Sequence, residues 1–95
     1  MIPLTSAVPG AVAELLRNSP ISPGKIEFAW KLAVGPAMER GTAVRLDASV
    51  LLVEASSPQW AREVARSSRI ILRRLQDLLG AETVTAINVR DRVKA

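Results

Sequence analysis

The chain has no cysteine, no histidine and no tyrosine among its 95 residues. Without cysteine there are no disulfides, thiolate zinc sites or cysteine nucleophiles. Without histidine the usual metal ligand is missing, and so is the one side chain whose unperturbed pKa lies near neutrality. Acid–base chemistry would fall to nine carboxylates or to the lysines, and no two acids form a catalytic motif. A Gly-x4-Gly-Lys phosphate loop is also absent, so nucleotide hydrolysis is not expected of this chain. These gaps point to a non-enzymatic protein with no metal, no cofactor and no small-molecule substrate.

Aromatic residues are nearly as scarce. Phe28, Trp30 and Trp60 are the full set, so base stacking has little to draw on. No uninterrupted apolar run approaches the ~20 residues that span a bilayer. The N-terminal stretch MIPLTSAVPG lacks the basic region that opens a signal peptide. We therefore expect a cytoplasmic protein with no membrane partner. It should form one domain over residues 1–95, with frayed ends at 1–8 and 91–95.

What the chain does have is concentrated positive charge. Thirteen basic and nine acidic residues give +4 and a pI near 10.7. Residues 60–74, WAREVARSSRIILRR, hold Arg62, Arg66, Arg69, Arg73 and Arg74 against Glu63 alone, so this one stretch carries the whole net charge. At ~100° per residue on a helix, Ala61, Val64, Ala65, Ile71, Leu72, Leu75, Leu78 and Leu79 share one broad sector. Arg62, Arg66, Arg69 and Arg73 line up opposite it, along about 16 Å at 1.5 Å per residue. Arginine makes bidentate contacts with phosphate or carboxylate that lysine cannot, and this stripe has no lysine. A basic face that is merely solvated is the bland alternative.

The remaining elements follow from caps and periodicity. A short helix is expected over residues 9–18, stopped by Asn18-Ser19-Pro20. Ser22-Pro23 opens a second over roughly 23–34, ended by Gly35-Pro36. Trp30 lies on its apolar side with Ile26 and Ala33, which reads as core. A polar connection follows over Ala37 to Gly41. The period then switches to two: Val44 and Leu46 alternate with Arg45 and Asp47, a turn forms at Asp47-Ala48-Ser49, and Val50 to Ala55 makes an antiparallel partner. Val50 and Leu52 face opposite to Leu51 and Val53, so they are either covered by the first two helices or exposed. The basic helix starts at Ser57-Pro58, or one residue earlier if Ser56-x-x-Gln59 forms a capping box, and stops at Gly80. A third strand is expected over Thr83 to Arg90, beside either the first or the second. The expected fold class is therefore α+β, in the order α-α-β-β-α-β, with a three-stranded sheet packed by helices.

These landmarks carry a family resemblance. WKLAVG, then the strand pair, then SSPQWAREV, then a leucine-rich helix ending LQDLLG, then VTAINVR, resemble the bacterial DciA family over roughly residues 11–91. The resemblance implies a KH-like domain that binds the DnaB-type replicative helicase, with DNA binding alongside and a place near the nucleoid. Two departures are visible: Ser49 stands where the family usually has a hairpin glycine, and the sequence stops soon after its last expected strand, where relatives often carry a low-complexity arm. No GXXG occurs, so the strand clamp of nucleic-acid-binding KH modules is not available.

The site expectations combine both lines. Arg62, Arg66, Arg69, Arg73 and Arg74 are the candidate nucleic-acid contacts, phosphate-dominated and sequence-tolerant. Single- or double-stranded DNA fits, and RNA as well. Trp60, Arg62 and Ile70 are the candidate helicase contacts, since tryptophan and arginine are enriched in binding hot spots. Trp60 has a competing role as the anchor of its helix to the sheet. The competing function is a stand-alone nucleic-acid-binding module without a helicase partner.

Overall fold

The computed structural model of the chain describes residues 20–91, so the helix expected over residues 9–18 lies outside the described residues. The described elements are α1 (Pro23–Val34), α2 (Pro36–Arg40), β1 (Thr42–Asp47), β2 (Val50–Ala55), α3 (Pro58–Leu79) and β3 (Ala86–Asp91). This is an α+β arrangement in the order α-α-β-β-α-β around one three-stranded mixed sheet. The caps explain where the helices begin. Ser22 and Ser57 are both extended, their hydroxyls accept from the amides of Lys25 and Trp60, and a proline follows each at the first helical position. Ser57 rather than Ser56 therefore starts α3. Gly35 and Gly80 end α1 and α3 at φ 85° and 103°, where a side chain would be strained.

Two boundaries differ from the sequence reading. The polar connection expected over Ala37 to Gly41 is largely the short helix α2, Pro36–Arg40, whose five residues are too few to show a period. The third strand starts at Ala86 rather than Thr83. The preceding residues are occupied with closing α3: Thr83 donates its hydroxyl to Leu79 O, and Gln76 Nε2 donates to Val84 O. Thr85 ties the loop to the hairpin through its amide and hydroxyl, both donating to Ser49 O. At its far end β3 runs through Asp91, paired with Ala55, one residue into the tail expected to fray.

The structure settles the strand order. β2 is central, antiparallel to β1 and parallel to β3. The hairpin closes through Ala48 and Ser49, both at positive φ (49° and 70°). A two-residue loop with both φ positive matches the twist of its strands, so Ser49 takes the conformation that glycine would adopt there.

The core lies between the sheet and α1 with α3. Leu51 and Val53 meet Ile26, Ala29, Trp30 and Ala33 from α1 and Val64, Ile71, Leu75, Leu78 and Leu79 from α3, closed by Val84. Val44, Leu46, Ile87 and Val89 pack against this cluster from the flanking strands. Val50 and Leu52, half-buried, fall on the opposite face of the sheet, which neither α1 nor α3 covers.

Trp30 is the centre of this core, 1% exposed. Its indole N–H donates to Thr42 Oγ1 at 2.8 Å, and that hydroxyl donates onward to Met38 O at 2.6 Å. Thr42 therefore satisfies a donor that burial would otherwise orphan. Thr42→Val keeps the shape and removes the acceptor, so we expect a loss of about 1–3 kcal/mol in urea unfolding. A change below a few tenths would mean that the indole finds another partner.

Candidate nucleic-acid and partner interface

α3 is amphipathic, and magnitudes decide which way it rolls. Five of its residues are buried: Val64, Ile71, Leu75, Leu78 and Leu79. At roughly 1.5–3 kcal/mol for each such side chain, this face outweighs any surface ion pair, worth about 0–1 kcal/mol. The apolar face therefore docks on the sheet, and whatever lies opposite is presented to solvent.

Opposite lie the arginines. Arg62, Arg66, Arg69 and Arg73 are all exposed and fall within an arc of about 60° on the helix. Among them Arg66 approaches Glu63, with Nη1 3.7 Å from Oε1. The two side chains are 75% and 49% exposed, so screening leaves the pair weak. Arg62, Arg69 and Arg73 form no ion pair with a described residue. Four guanidinium groups are thus ranked along one solvent-facing line with most of their donors uncommitted. Such a line can accept phosphate or carboxylate oxygens in succession.

Arg74 does not join them. It is half-buried and turned toward α1, donating from Nη1 to Ala33 O at 2.9 Å. Ala33 lies in the last turn of α1, where carbonyls lack intrahelical partners and favour a cation. Its Nε is buried and has no partner among the described residues. Charge alone grouped Arg74 with the other four. Its position about 100° further round the helix from Arg73 separates it.

The three candidate partner residues also occupy different places. Trp60 is half-buried at the start of α3, with its ring lying on Gly41. A Cβ built at Gly41 would sit 2.6 Å from Trp60 Cε2. The indole N–H makes no hydrogen bond with a described residue. Arg62, two positions on, points away from Trp60 and belongs to the stripe. Ile70, 58% exposed, lies beside the stripe between Glu63 and Asp77, each seven residues away. Trp60 therefore anchors α3 to the start of β1 while keeping part of its ring open.

Gly41 is the residue that sequence reasoning missed. Its backbone, φ −89° and ψ 4°, is open to any residue. Glycine is required there for the space that the ring of Trp60 fills, and no local pattern reveals that.

Among the described residues no helix is long and apolar enough to cross a membrane. The model of one family, described as "Dna[CI] antecedent, DciA", matches residues 3–89 of the chain. Neither a curated protein nor a solved structure gives a match.

Proposed function

The chain belongs to the DciA family, which implies a role in loading the bacterial replicative helicase, and we propose that it acts as a non-enzymatic adaptor in DNA replication. On this reading it binds a DnaB-type helicase and DNA in the cytoplasm, at the nucleoid. The observation that carries the DNA half is the exposed row Arg62, Arg66, Arg69 and Arg73, with one weak internal pair between them and solvent. Their contact is with phosphate and tolerant of sequence, because the row has no aromatic residue to stack a base. The domain is KH-like in its element order and lacks the GXXG clamp, so the arginine row takes over the phosphate role. Arg74 is left out of that role by its bond to Ala33 O. ATP hydrolysis belongs to the helicase.

For the helicase half, Arg62 and Ile70 are the testable contacts, since both are exposed. Trp60 contributes at the rim of the same helix, but its packing on Gly41 makes loss of binding in Trp60→Ala ambiguous.

Titrating a fluorescent single-stranded oligonucleotide with the full chain at several salt concentrations tests the first half. Four phosphate contacts on a single strand predict a slope of log affinity against log salt of about −3. Capture of a DnaB-type helicase by the Ile70→Glu and Arg62→Glu chains tests the second, with a loss of at least about tenfold expected for a hot-spot residue. A slope near zero would remove the DNA role, and full capture by both variants would move the helicase contact elsewhere.

A further inference from the structure

β3 is an edge strand. It pairs with β2 along one side, and no described strand lies along the other. α3 passes beside it, and between the two runs an open groove lined by Ser68, Arg69, Leu72, Thr85, Ala86 and Ile87. Leu72 and Ile87 give it an apolar floor and already lean on the core. Arg69 stands over it, exposed and forming no ion pair with a described residue. An edge strand flanked by a helix is one of the recurrent settings for recognition of an extended chain. Main-chain hydrogen bonds to the edge supply affinity there, and pockets for alternate side chains supply selectivity.

The lining decides among occupants. None of Phe28, Trp30 and Trp60 reaches the groove, so a nucleobase finds no ring to stack on. Its volume of about 290 Å³ lies at the foot of the range for small-molecule pockets. The lining holds one cation and no carboxylate, so a second copy presenting the same lining offers Arg69 no counter-charge. What remains complementary is an extended polypeptide carrying carboxylates. The geometry points to this groove as the docking site of an extended acidic segment of a partner protein, added as a fourth strand along β3. On the face of the segment turned to α3, apolar side chains would cover Leu72 and Ile87, and a carboxylate on that same face would pair with Arg69. This goes beyond the adaptor reading, because it specifies the chemistry of one contact and uses the β3 backbone, which the DNA row does not involve. Arg69 is shared, so a bound segment and DNA compete for it.

The experiment titrates the full 15N-labelled chain with the seven-residue peptide Val-Ser-Glu-Ser-Val-Ser-Glu, whose valines and glutamates share one face of a strand, followed by amide NMR. Two further peptides of the same side chains are N-methylated, one on each alternate set of amides. We expect shifts confined to residues 68–72 and 85–90, with slowed amide exchange in β3. Methylation of one set should weaken binding about tenfold through lost hydrogen bonds, while methylation of the other set has little effect. Arg69→Ala should weaken all three peptides together. Equal affinity for the two methylated peptides would overturn strand addition, as would shifts restricted to the arginine row. Perturbation of the β3 amides by oligothymidylate but not by the peptide would also overturn it, in favour of a nucleic-acid groove.

Discussion

Reversing charge at Arg66 and Arg69 together is expected to weaken DNA binding about 100-fold at low salt. The same change should bring the salt slope from about −3 to about −1.5, since two of four phosphate contacts are lost. Both side chains are exposed, so the fold has no reason to respond by more than about 0.5 kcal/mol. One small cost arises because Arg66→Glu sets a new acid three residues from Glu63, a like-charge helix pair worth a few tenths of a kcal/mol. Anisotropy titrations at several salt concentrations, with a thermal melt as control, read all of this. Arg74→Ala supplies the contrast. It should leave the slope nearly unchanged and lower the melting temperature, because it leaves Ala33 O without its donor. If reversal at Arg66 and Arg69 leaves the slope where it was, the row is solvated surface and DNA binds elsewhere.

The second large effect is expected at Gly41. Gly41→Ala should destabilise the domain by about 1–3 kcal/mol, the usual cost of forcing atoms into a packed site. The new methyl would fall among Nε1, Cδ1 and Cε2 of Trp60. The backbone gives no other reason for a penalty, since φ −89° suits alanine. With strain set aside, Gly→Ala stabilises by roughly 0.4–1 kcal/mol through the unfolded chain. The double-mutant cycle therefore has a distinctive sign. In a Trp60→Ala background, Gly41→Ala should become neutral or slightly stabilising, because the ring that it struck is gone. Urea unfolding of the four proteins yields a coupling energy of about 2 kcal/mol or more. Additive effects would show that Trp60 does not rest on Gly41, and the anchor reading of Trp60 would fall with it.

Several features were legible because their causes are local. Ser22-Pro23 and Ser57-Pro58 start helices through contacts three residues long. Gly35 and Gly80 end them through a single φ angle. The β1–β2 pairing follows from a period of two and a two-residue loop. The arginine row follows from a period of 3.6 alone, since the face opposite a buried stripe must be exposed. Other features depend on residues distant in sequence. α2 is too short to show a pattern. The start of β3 is hidden from the sequence because Thr83, Val84 and Thr85 look like strand residues, yet bond back to α3 and to Ser49.

The chain's own order of residues determined that this is a small α+β fold without cysteine or histidine, carrying four arginines ranked along one helix. It could do so because caps, glycine stops and hydrophobic periods act within a turn or two of backbone. Only the tertiary structure decided that β3 lies parallel beside β2, that Arg74 serves the end of α1 rather than the row, and that Trp60 occupies the space Gly41 leaves empty. Each of those depends on which distant surfaces meet when the apolar face of α3 closes on the sheet, and no short-range pattern encodes that meeting.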